Sequence, residues 1–168
     1  QDPDQPAAGD TANAKPPTGP ERDVQRRTVA MVFVIDRSQS MLEPVTPGGP
    51  TRMDYVRSSA QATASKLLPG DEVGIVTFGN RDTDEVALPL TPATAFEPIH
   101  RAFAQLAARR FEGTYVDSAV ARAALMLDES RAAVKHVVVI TDGLIEDLIA
   151  ALDRVQALRR GGASVSMI

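Results

Sequence analysis

Oxygen-bearing side chains stand where several apolar runs of this chain end. In VFVIDRSQSM (residues 32–41) Asp36 closes an apolar stretch, and Ser38 and Ser40 follow at alternate positions. Thr114 lies in GTYVDSAV, and Asp142 closes HVVVIT in the triplet TDG. Two carboxylates and three hydroxyls, with no His or Cys among them, suit a hard cation such as Mg2+, Mn2+ or Ca2+ and suit Zn2+ or Cu2+ poorly. The carboxylates balance a divalent charge. The hydroxyls are weak neutral donors, so the ion stays a good Lewis acid and attracts a carboxylate from outside.

Each piece also has a local explanation. Ser38 or Ser40 is the kind of residue that caps a following turn, and Thr114 with Asp117 three positions on has the form of a capping box. Asp142-Gly143 has the composition of an ordinary turn. What sets the cluster apart is position, which depends on the elements that carry it.

Residues 28–36 form a continuous β-branched and apolar run, the pattern of a strand covered on both faces. The Pro/Gly-rich loop EPVTPGGP (43–50) follows, then Met53, Val56, Ala60, Ala64 and Leu67 at helical spacing, stopped by Pro69-Gly70. Strands are expected over 72–78 and 86–90, and Pro89 puts the second of these at a sheet edge. Helices over 93–108 and 115–128, a strand over 134–141, a helix over 144–160 and a strand over 163–168 complete the pattern. Strands alternating with helices predict an α/β fold, a mostly parallel sheet with helices on both faces. In such sheets ligands sit beyond the carboxyl ends of the strands, the end at which Asp36, Thr114 and Asp142 fall. In an extended segment, Ser38 and Ser40 would point the same way.

Residues 1–27 read differently. Five prolines fall in this stretch, and no Val, Ile, Leu, Met or aromatic residue precedes Val24, so a disordered Pro/Ala-rich tether is expected. A start at Gln1 instead of Met leads us to expect that an N-terminal piece has been removed. The net charge of −4 argues against nucleic acid as the main partner, which would require a concentrated basic surface. The absence of cysteine excludes disulfides, thiolate metal sites and thiol nucleophiles. The longest apolar run, 29–35, is far short of the ~20 residues that span a bilayer, so no membrane segment is expected in this chain.

The order of the motifs resembles the metal-ion-dependent adhesion site (MIDAS) of the von Willebrand factor A (vWA) domain. DRSQS matches the family's Asp-x-Ser-x-Ser, GTYVDSAV its isolated threonine before a small-residue helix start, and VVVITDG its strand-terminal Thr-Asp-Gly. The resemblance covers 28–168. It implies a doubly wound, Rossmann-like sheet with an antiparallel edge strand, and metal ligation of Mg2+ (or Mn2+ or Ca2+) by Asp36, Ser38, Ser40, Thr114 and Asp142. It further implies a protein partner whose Asp or Glu completes the coordination, and no catalysis.

Two departures stand out. Gln39 occupies a position where the family usually has Gly, and a positive φ there would cost about 1 kcal/mol. The chain also stops at SVSMI, where the family continues, so the sheet is expected to be truncated after the fifth strand. The phrases FVIDRSQSM, RMDYVRSSA, DEVGIVTF and KHVVVITDG look most like bacterial vWA domains, often found in membrane-anchored proteins, which implies an extracytoplasmic or membrane-associated setting.

Two other functions compete with binding. A strand-terminal aspartate also occurs in haloacid dehalogenase-type phosphatases, which raises Mg2+-dependent phosphoryl transfer, although their second acid is replaced here by Ser38. A general base is also hard to find. His136 begins the strand that ends at Asp142 and is expected on the order of 15 to 20 Å from it, and His100 reads as a surface residue. The third possibility is a structural vWA domain with an unoccupied site.

Overall fold

The computed structural model describes residues 26–168, so the expected tether lies outside the described residues except for Arg26 and Arg27. Strands β1 (Val29–Asp36), β2 (Glu72–Phe78), β3 (Glu85–Pro92), β4 (Val134–Ile140) and β5 (Ser164–Met167) form one sheet in the order β3-β2-β1-β4-β5. All neighbouring pairs are parallel except β2 with β3. The antiparallel edge strand is thus β3. Its pairing with β2 shifts register between Leu88 and Thr91, around Pro89, which has no N–H to donate.

Helices α1 (Arg52–Ala64) and α2 (Phe96–Gln105) cover one face of the sheet, and α3 (Asp117–Glu129) and α4 (Leu148–Arg160) cover the other. Strand β1 alternates between them, because side chains two apart on a strand share a face. Phe33 and Ile35 pack toward α1 and α2, whereas Val32 and Val34 pack toward α3 and α4. Phe33 meets Phe103 of α2 edge to face, with ring centroids 5.6 Å apart. The uninterrupted apolar run of β1 therefore serves two cores at once. Among the described residues no helix is long and apolar enough to cross a membrane.

Helix boundaries differ from expectation where a side chain from elsewhere takes over the backbone. α1 starts behind Thr51, which forms a capping box with Asp54. It ends at Ala64 and does not reach Leu67, because the chain turns there and Leu68 N donates to Asp71 Oδ2. α4 starts at Leu148 instead of 144, leaving 143–147 as a loop whose acidic residues bind the backbone ahead of α3.

Candidate metal centre

β1 and β4 are parallel neighbours whose carboxyl ends coincide. Ile35 pairs with Ile140, so Asp36 and Thr141 leave the sheet side by side. From β1 the chain passes to β2 on one side, whereas β4 lies on the other, so the strand order reverses here. Connections departing in opposite directions open a crevice at that edge.

Four of the five expected site residues form one hydrogen-bonded chain in this crevice. Ser38 N donates to Asp36 Oδ1 at 2.7 Å, and Thr141 Oγ1 donates to Asp36 Oδ2 at 2.6 Å. Ser38 Oγ and Ser40 Oγ are 3.0 Å apart, and Ser40 Oγ donates to Asp142 Oδ1 at 2.7 Å. The fifth, Thr114, is buried against the turn that carries Asp142: a Cβ on Gly143 would stand 3.3 Å from Thr114 Oγ1. Glycine at 143 leaves that hydroxyl uncrowded.

The segment after Asp36 is not extended. Ser38 has φ −57° and ψ 165°, and Gln39–Leu42 form a 3-10 turn. It is this tight turn that sets the two serine hydroxyls side by side. The capping explanations are not realised either. Ser38 makes no side-chain cap to the turn it precedes, and α3 follows Val116, with no capping box between Thr114 and Asp117. Asp147 caps α3 from a distance instead, accepting Val116 N at 3.0 Å and Asp117 N at 2.9 Å.

Several residues that sequence reasoning passed over hold the site in place. Glu146 grips the Thr114 backbone on both sides: its N donates to Thr114 O at 3.0 Å, and its Oε1 accepts Thr114 N at 3.1 Å. The Tyr115 hydroxyl and the Thr114 N–H hold the Glu146 carboxyl below the usual range. Arg37, between Asp36 and Ser38, is buried and reaches Glu112 at 2.9 Å, Glu85 at 2.8 Å and Thr83 O at 2.6 Å. It ties the β1 turn to the loops before β3 and before Thr114. Gly79 makes room for this arrangement, since any side chain there would collide with Glu112. Gln39 is not at positive φ, so the expected penalty does not arise; its Oε1 accepts Phe111 N at 3.0 Å.

Arg52, at the first position of α1, points its Nη1 at Asp142 Oδ2 (2.5 Å), Glu43 Oε2 (3.0 Å) and Ser40 O (3.1 Å). A cation in a helix's first turn works against the macrodipole, which is the one sequence signal that would have marked it.

The two carboxylates differ electrostatically. Asp142 has Arg52 beside it. Asp36 is fully buried, and its hydrogen bonds come from an amide and hydroxyls, with no cation paired to it among the described residues. Burial raises the Asp36 carboxyl above its usual range, the bonds from Thr141 and Ser38 offset part of that, and the nearby Asp142 adds to the rise. Such a set of oxygens, with an uncompensated buried carboxylate at its base, is one that can hold a hard cation.

The fold recurs in other proteins. The conserved hypothetical protein BatB from Bacteroides thetaiotaomicron superposes with a TM-score of 0.71 at 22% identity over 83% of this chain and 65% of that one. A von Willebrand factor type A protein from Catenulispora acidiphila gives 0.69 at 22% identity, over 84% and 33%. The vWF domain of the type V pili tip protein Mfa5 from Porphyromonas gingivalis gives 0.59 at 22% identity, over 71% and 39%. At these identities the likeness is one of fold, and the chain spans less than two thirds of the length of each. No curated protein sequence matches it. The profile of the von Willebrand factor type A domain matches residues 31–144, a span that runs from within β1 to the turn after β4 and takes in both strand ends at the crevice. By that match the chain belongs to the von Willebrand factor type A domain family.

Proposed function

We propose that this domain is a divalent-metal-dependent protein-binding module, in which Asp36, Ser38, Ser40, Thr114 and Asp142 hold Mg2+ (or Mn2+ or Ca2+) and an Asp or Glu of a protein partner completes the coordination. The observation that carries the reading is Asp36. Burying a carboxylate without a paired cation is costly, and its neighbour across Ser40 is a second carboxylate. A divalent ion would relieve both. When bound, it supplies a hard Lewis-acid position open to one further oxygen ligand. The hydroxyls of Ser38, Ser40 and Thr114 orient without adding charge, and Glu146 and Arg37 keep the three loops in register. The family membership, and the presence of this fold in a pilus tip protein, support an interaction role. The loop 43–50 lies beside Ser40 and supplies Glu43 to Arg52, a position suited to tuning partner affinity.

Phosphoryl transfer has less support. His136 lies early in β4, with its Nδ1 2.5 Å from Ser164 Oγ, and His100 belongs to α2, so neither stands at the crevice as a base.

Millimolar Mg2+ or Mn2+ is expected to raise the melting temperature of the wild-type protein, because only the folded state joins the three loops. Asp36→Ala and Asp142→Ala should remove the shift. A wild-type protein indifferent to both ions would sink the metal reading. Metal-dependent hydrolysis of a phosphoester, lost in Asp36→Ala, would put phosphoryl transfer in place of binding.

A further inference from the structure

We infer that Phe111 is a presented hydrophobic anchor: a partner segment that sets a carboxylate at the Asp36–Asp142 crevice also lays a large apolar side chain against this ring. The inference deepens the binding reading above and rests on it. Phe111 is 86% exposed and has φ +62°, a left-handed backbone that a bulky side chain disfavours. Gly or Asn would adopt that conformation with little strain. Here a phenyl ring is held in it, and burial of the ring does nothing to offset the strain.

What holds it is polar and specific. Phe111 N donates to Gln39 Oε1 at 3.0 Å, Gln39 N donates to Glu112 O at 3.3 Å, and Asn80 Nδ2 donates to Phe111 O at 3.5 Å. Gln39 lies between Ser38 and Ser40, so one residue both holds the Phe111 backbone and belongs to the turn that presents the site hydroxyls. Anchor and crevice are thereby held in a constant relation.

The surroundings indicate the chemistry of the occupant. Arg109 is paired with Glu85 and Glu112, whereas the exposed Arg110 next to Phe111 is in no ion pair among the described residues. Beyond Thr114, Leu144 follows Gly143 and is 93% exposed. An exposed cation and two exposed apolar side chains on the loops that deliver Thr114 and Asp142 fit a protein segment with an acidic residue flanked by large apolar ones. Strain retained at an exposed aromatic beside a candidate site is what a recognition role would explain.

The test uses an array of short peptides with a central Asp or Glu, whose flanking positions carry Leu, Phe, Ser or Lys, probed in Mn2+ with the wild-type protein and with Phe111→Asn. The wild type should retain Leu- or Phe-flanked acidic peptides roughly tenfold better than Ser-flanked ones. Phe111→Asn should lose that preference while its melting temperature stays the same or rises, because Asn tolerates the left-handed backbone. The inference is overturned by a preference that survives in Phe111→Asn, by no flank preference or no retained peptide in the wild type, or by a clear fall in the variant's melting temperature, which would make the ring structural. Retention that depends on Phe111 but persists in EDTA would instead count against the metal reading alone.

Discussion

Two buried aspartates sit at opposite ends of the same parallel strands and are treated in opposite ways. Asp71 precedes β2 at the amino edge of the sheet, and Asp36 ends β1 at the carboxyl edge; both are almost fully inaccessible, at 1% and 0% exposure. Asp71 accepts Val29 N at 2.9 Å and Leu68 N at 2.8 Å, and the Arg26 guanidinium pairs with it. Burial pushes its carboxyl up, but the two amides and the arginine outweigh burial, and it ends below the usual range. Asp36 has an amide and hydroxyls but no paired cation among the described residues, and it ends above. Among the described residues, one carboxylate is met by a cation and the other by hydrogen bonds alone. A closed carboxylate of the first kind stitches elements together, and one of the second kind is a candidate for a site.

The comparison is broken most directly at Asp71. Asp71→Ala would leave two backbone N–H groups without their acceptor and unpair Arg26, and is expected to lower unfolding free energy by about 3 kcal/mol in urea titrations. A loss well under 1 kcal/mol would mean that the amino edge is not closed by this residue. Asp36→Asn should cost less without metal, because burial already disfavours its charge, yet it should erase the gain from added Mn2+. That gain amounts to about 2.7 kcal/mol at a hundredfold excess over the dissociation constant, and calorimetry with both proteins reads it.

Acid sharpens the contrast. A carboxylate whose pKa is lowered by folding contributes stability above its unfolded pKa and loses it as pH falls through the folded one, and Asp71 is such a group. Stability of the wild type should therefore decline from the ordinary carboxylate range downward, and Asp71→Asn should flatten that decline; parallel curves would remove Asp71 as its source. The smallest effect is expected at Arg52. Its guanidinium already occupies Asp142 Oδ2, and an ion must displace or share that contact. Arg52→Gln should tighten Mn2+ binding about threefold to tenfold, with the gap narrowing in high salt. Weaker binding in the variant would mean that Arg52 organises the site instead of competing for it.

The sequence by itself determined the elements and the kinds of side chain at their ends. Apolar periodicity is local, so the strands appear within a few residues of their expected places, and β2 agrees at both boundaries. Pro89 forecast the sheet edge because a missing N–H is a property of the residue alone. The tertiary structure decided which strand ends meet. The hydrogen bond from Ser40 to Asp142 joins residues 102 positions apart, a distance set by the order of strands in the sheet, which no local pattern records. It also decided the turn that brings Ser38 and Ser40 together, the burial of Arg37, the capping of α3 by Asp147 and the left-handed backbone at Phe111. Each of these depends on a partner delivered by another loop. A residue's type states which bonds it can form, but only the packed chain supplies the atom at the other end.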